Sequence, residues 1–291
     1  MDQHIPVLFE AALDYLAILP DGIYVDATFG AGGHSRGILQ HLRSGRLIAF
    51  DADPSAAPRA ASISDPRFTF VPSNFRELSQ ALDRLGIEQI DGALYDLGVS
   101  SMQFDEASRG FSFRESAPLD MRMNPAGGVS AYDILMGSSE RELADIFFNY
   151  GQERAARKIA RVIVARRRSG TLPKTTVEFG QMISGLLHRP GQRERIHPAT
   201  RVFQALRIAV NDELDALRDG LDAAVGRLRG AGRVVVISFH SLEDRIVKHA
   251  FREDERLEVI TRKPVLPGEA EMERNPRARS AKLRAAQRKA G

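Results

Sequence analysis

The chain contains no cysteine. Disulfides, thiolate zinc sites and every mechanism with a cysteine nucleophile are excluded before any motif is read. It has no apolar run near the roughly 18 to 20 residues that a membrane helix needs. Its opening Met1-Asp2-Gln3-His4 lacks the basic start of a secretory signal. The expectation is a cytoplasmic protein with no membrane partner. The seven histidines are scattered without ligand spacing, so no metal is expected. What is present is ordinary for a folded protein: 291 residues, 43% hydrophobic and 27% charged, enough for one large domain or two smaller ones with a real core.

The formal charge of +3 conceals opposed segments. Residues 1–102 hold 7 Lys and Arg against 13 Asp and Glu, and residues 103–150 hold 4 against 8. Residues 151–207 reverse this with 13 against 3, and no acid follows Glu273. A basic block inside an acidic protein points to a polyanionic partner for that block.

Four short apolar runs, Ile23 to Thr28, Leu47 to Asp51, Phe68 to Val71 and Ala93 to Leu97, read as buried strands. Helical stretches at Ser35 to Leu42, Pro54 to Ser62 and Phe75 to Leu85 separate them. This alternation predicts an α/β fold with a parallel sheet covered by helices, one more helix over Leu8 to Leu19 packing on it. The next clear strand, Val234 to Phe239, comes far later, so the sheet domain is interrupted. The interruption carries helical patterns at Glu140 to Tyr150, Gln152 to Arg168 and Thr176 to Leu187. One long amphipathic stripe from Phe203 to Leu228 is expected to return the chain to the sheet and to end at Gly230-Ala231-Gly232. The predicted domains are 1–102 with 198–291 for the sheet and 103–197 for the mostly helical insertion. A closing hairpin is expected from Leu257 to Lys263 and Ser280 to Ala286.

The first strand runs into Asp26-Ala-Thr-Phe-Gly30-Ala-Gly32-Gly33-His34-Ser35. Glycines between a strand and a helix let a ligand touch the backbone, and the helix N-terminus offers N–H groups to an anion. Asp51, at the tip of the second strand, suits the two hydroxyls of an adenosine ribose. A dinucleotide fingerprint needs a third glycine where Ser35 stands, and no Gly-Lys-Ser/Thr tripeptide exists for a nucleoside triphosphate. An adenosine cofactor without phosphate is left, and the pattern resembles class I S-adenosylmethionine-dependent methyltransferases. Asp96, at the tip of the fourth strand in Tyr95-Asp96-Leu97-Gly98, lies where an open α/β sheet places its chemistry.

Longer motifs make the resemblance specific: Asp26 to Ser35, Asp96 to Ser101, Arg109-Gly-Phe-Ser-Phe113, Leu119-Asp-Met-Arg-Met123, Ile196 to Arg207, Ser238 to Arg245 and Asn275 to Arg284. Together they are similar to the bacterial 16S rRNA cytosine-N4 methyltransferase family, RsmH or MraW. The resemblance implies a Rossmann-like methyltransferase sheet with an inserted RNA-recognition domain, S-adenosylmethionine as cofactor, and small-subunit ribosomal RNA or the assembled small subunit as partner. It assigns cofactor contacts to Gly32, Gly33 and His34 in the loop, the last through its backbone. Asp51 falls on the ribose, Phe75 beside the adenine, and Asp96 and Gln103 near the methionyl end.

Without cysteine the covalent route to pyrimidine carbon-5 methylation is closed, which leaves nitrogen or oxygen as acceptor. Asp96 is the candidate catalytic group, accepting an N–H bond from the cytosine amine. His240 is either a wall of the target pocket or a structural histidine. Two other classes stay open at this point: an RNA-binding assembly factor with an idle cofactor fold, and a small-molecule methyltransferase.

Overall fold

The structure, a computed structural model, describes residues 6–188 and 197–290. Met1 to His4 and Ile196, used above, lie outside them. The chain begins α1 (Phe9–Leu16), β1 (Ile23–Asp26), α2 (Gly33–His41), β2 (Arg46–Phe50), α3 (Ala57–Ala61), β3 (Phe68–Val71), α4 (Leu78–Arg84) and β4 (Ile90–Asp96). Six helices follow: α5 (Ser101–Asp105), α6 (Ala131–Gly137), α7 (Glu140–Asn149), α8 (Ala156–Arg168), α9 (Thr176–Leu187) and α10 (Ala199–Asn211). The chain closes with α11 (Glu213–Arg227), β5 (Leu228–Ser238), α12 (Ser241–Glu253), β6 (Leu257–Val259), α13 (Glu269–Arg274) and β7 (Lys282–Arg288).

The seven strands form one sheet in the order β3-β2-β1-β4-β5-β7-β6. The first five are parallel and β7 runs antiparallel to both its neighbours. This is the α/β fold with a parallel sheet covered by helices expected from the sequence. Side chains alternate across it, as strand geometry requires. Val25, Val234 and Val236 pack toward Leu78 and Leu82 of α4, Leu217 and Leu221 of α11 and Val247 of α12. Tyr24, Val235 and Ile237 pack toward Leu13 and Leu16 of α1 and Ile38 of α2.

The chain divides into two compact units, residues 1–100 with 214–291 and residues 101–213. The long helix read from Phe203 to Leu228 is in fact two, because Asp212 adopts a left-handed backbone with φ of 49° and ends α10. Asp and Asn tolerate that conformation better than other side-chain-bearing residues. α10 therefore belongs to the inserted unit, where Phe203 meets Phe113 at 5.0 Å and Phe179 at 5.9 Å between ring centroids. Gly230-Ala231-Gly232 does not cap a helix either. It lies within β5, where Ala231 has φ of 66° and the pairing with β4 shifts register between Ile90 and Gly92. An irregularity of this kind lets a strand keep its place in the ladder while it bends.

Candidate active site

Parallel strands bring their carboxyl ends to one edge, so Asp26, Asp51 and Asp96 converge from β1, β2 and β4. Asp26 is 1% exposed, accepts a hydrogen bond from Ser35 Oγ at 2.6 Å and another from the Thr28 N–H at 3.1 Å. Burial pushes its carboxyl up to about 6 against those two bonds. Ser35, in place of a third glycine, thus ties the start of α2 to the tip of β1.

Asp51 accepts from the Gly30 N–H and the Asp53 N–H, both at 2.8 Å, and holds the glycine loop against β2. Burial raises its carboxyl, and the same two N–H groups oppose the shift. Gly32 precedes α2 with φ of 77°, a backbone that L side chains rarely adopt, and has no side chain to cap the helix. A Cβ on Gly33 would lie 2.3 Å from Pro6 Cγ, so that position admits no side chain. The loop leads into the first-turn N–H groups of α2.

The Asp96 N–H donates to Thr28 Oγ1 at 2.6 Å. Its carboxylate Oδ2 lies 3.5 Å from His34 Nδ1, while Oδ1 is shielded from solvent and has no hydrogen-bond partner among the described residues. Burial, then the charges of Asp26 and Glu243, push the Asp96 carboxyl up to about 8. Glu243 is 3% exposed on α12, and its Oε2 accepts from the Phe239 N–H at 2.8 Å and the His240 N–H at 3.2 Å. His240 has a structural role: its Nδ1 accepts from the Glu243 N–H at 3.4 Å, so its ring caps α12.

Phe75 follows β3 on a single 3-10 turn, residues Phe75–Glu77, and meets Tyr95 edge-on at 5.4 Å. Its ring lies so near α11 that a Cβ on Gly220 would come within 2.6 Å. Gln103 is buried on α5 in the inserted unit, whereas Gly32, Gly33, His34, Asp51, Phe75 and Asp96 belong to the sheet unit. Sequence reasoning placed Asp26, Ser35 and Glu243 inside motifs but gave them no part in the site. The only signal for them was their place in those motifs.

Residues 1–289 match the MraW methylase family. The chain belongs to this family. As a MraW-family methylase it is an enzyme, and its relatives span the same length. It is 48% identical over 308 residues to a ribosomal RNA small subunit methyltransferase H from Geobacter sulfurreducens, covering 98% of this chain and 99% of that one. It is 48% identical over 305 residues to the protein of the same name from Thiobacillus denitrificans, covering 98% and 97%. Among solved structures it is similar to an rRNA methylase from Streptococcus thermophilus, at 11% identity and a TM-score of 0.46, with 99% of each chain covered.

Proposed function

We propose that this MraW-family methylase uses S-adenosylmethionine to methylate the exocyclic N4 of one cytidine in the decoding region of 16S rRNA. The observation that carries the reading is Asp96 Oδ1, an acceptor hidden from water with no donor among the described residues at the tip of β4. A buried acceptor left in this state costs on the order of 1–3 kcal/mol, so its natural partner is a donor brought by a ligand.

The residues fit the cofactor. Gly32 and Gly33 carry no side chain at the start of α2, whose first-turn N–H groups suit the methionyl carboxylate. Asp51 keeps lone pairs for two ribose hydroxyls beyond the two N–H bonds it accepts. Phe75 offers its ring to the adenine. When bound, S-adenosylmethionine supplies an activated methyl group on a sulfonium.

The protein's part is alignment and proton handling. The cytosine amine is a poor nucleophile because its lone pair is delocalised into the ring. An N–H bond to Asp96 Oδ1 localises that pair. Once nitrogen has gained a methyl group it holds one proton too many; that N–H bond breaks and the proton passes to the carboxylate. A carboxyl raised to about 8 retains such a proton near neutrality. The base has to leave its stack to reach this edge.

Asp51→Ala is expected to weaken cofactor binding by roughly 1.5 to 3 kcal/mol, the scale of hydrogen bonds to a charged group. Calorimetry on a folded variant with undiminished affinity would refute the ribose contact.

The inserted unit is the RNA grip. Its basic cluster is not uniform: Arg167 donates to the carbonyls of Leu135, Met136 and Ser138 at 2.7–3.1 Å, and Lys158 donates to the Leu186 carbonyl. The side chains of Arg154, Arg157, Arg166 and Arg168 are exposed and make no hydrogen bond or ion pair with the described residues. Changing Arg166 and Arg168 together to Ala should lower RNA affinity and reduce the salt slope by about 0.9 for each phosphate that is no longer neutralised. Arg167→Ala should instead lower the melting temperature. Unchanged RNA affinity and slope in the Arg166, Arg168 pair would make the cluster a solvated face. The overall reading is tested by incubating small subunits with labelled cofactor and identifying the methylated nucleoside.

A further inference from the structure

We propose that the side chain of His34 is a positioning residue for Asp96: its Nδ1 holds Oδ2 and so directs Oδ1 at the acceptor amine. This rests on the functional reading above and gives the ring a task separate from the backbone contact expected of His34.

The imidazole is 5% exposed on the first turn of α2 and stacks on Phe9, with centroids 5.8 Å apart and planes at 29°. Packing therefore fixes the ring plane, and the Asp26–Ser35 bond fixes the helix turn that carries it. Nδ1 faces Oδ2 at 3.5 Å. That separation is longer than a formed hydrogen bond, and catalytic hydrogen bonds of this length commonly tighten when ligands bind. A carboxylate free to rotate would present either oxygen to the amine at random. Asp26 and Glu243 both repel its charge, whereas the His34 ring supplies a nitrogen to hold it. Oδ2 thus faces the ring and Oδ1 is left for the ligand.

The test compares His34→Ala with His34→Asn, whose amide nitrogen takes the place of Nδ1, in small-subunit methylation. The Ala variant should lose about 10²-fold in kcat, the cost of a misplaced reacting group, with both KM values within about threefold of wild type. The Asn variant should recover most of that loss. A second measurement needs neither cofactor nor RNA: the His34 ring nitrogen resonances in the protein alone, with and without Asp96→Asn. The Nδ1 resonance should move. Equal losses in both variants, a loss confined to cofactor KM, or an unmoved Nδ1 resonance would overturn the proposal. Should His34→Ala fail to fold, the Asn variant and the resonances decide. Failure of the functional reading itself appears elsewhere, as wild-type label on a site other than cytidine N4.

Discussion

Asp96→Asn is expected to lower turnover by about 10² or more while leaving cofactor affinity much less affected. The substitution keeps the shape of the side chain and one carbonyl oxygen, so the packing at the tip of β4 survives. It removes the charge that strengthens an N–H bond from the amine and the site that takes up its proton. Burial makes this loss large, because Oδ1 is closed to water and no other group among the described residues occupies it. Radiolabelled methyl transfer and calorimetry on the same preparation separate the two roles. Parallel losses of binding and rate would reduce Asp96 to a cofactor ligand.

The pH profile carries the second large effect. Asp96 can take up the amine's proton only when ionised, and in the free enzyme its carboxyl is raised to about 8. The value of kcat/KM should therefore fall about tenfold for each pH unit below that point. The titratable side chains that act on it in the sheet unit are Asp26 on β1, His34 on α2 and Glu243 on α12. Asp26→Asn removes one repelling charge and should move the acid limb to lower pH. An acid limb unchanged in that variant would show that the limb belongs to another group. Stability carries the opposite sign. Asp26 and Asp96 hold their protons in the folded chain where the unfolded chain, at about 3.8, has released them. Their contribution to stability is thus greatest in acid and declines as pH rises from about 4 to about 8.

The strands were legible because each is an apolar run bounded by glycine or a charge, and a strand's last residue marks the sheet edge. That is why Asp51 and Asp96 could be placed at strand tips from the sequence. Glu243 was not, because α12 carries it to Asp96 only after β5 has been placed, and no local pattern shows that approach. The break at Asp212 escaped for a different reason: the apolar stripe continues in phase on both sides of it, and hydrophobic periodicity is blind to one left-handed residue. Arg167 could not be told from Arg166 and Arg168 by composition. Only the three carbonyls it meets separate a structural cation from a free one. Gly230 to Gly232 looked like a helix end because glycine serves both a C-terminal cap and a bent strand.

The central claim is that the acceptor is a cytosine amine met by Asp96. The most direct test is nucleoside mass spectrometry of 16S rRNA from small subunits incubated with this enzyme and labelled S-adenosylmethionine. The label is expected in N4-methylcytidine at a single position, and should nearly disappear with Asp96→Asn. Label in 5-methylcytidine or on a ribose oxygen, or full incorporation by the variant, would contradict the claim.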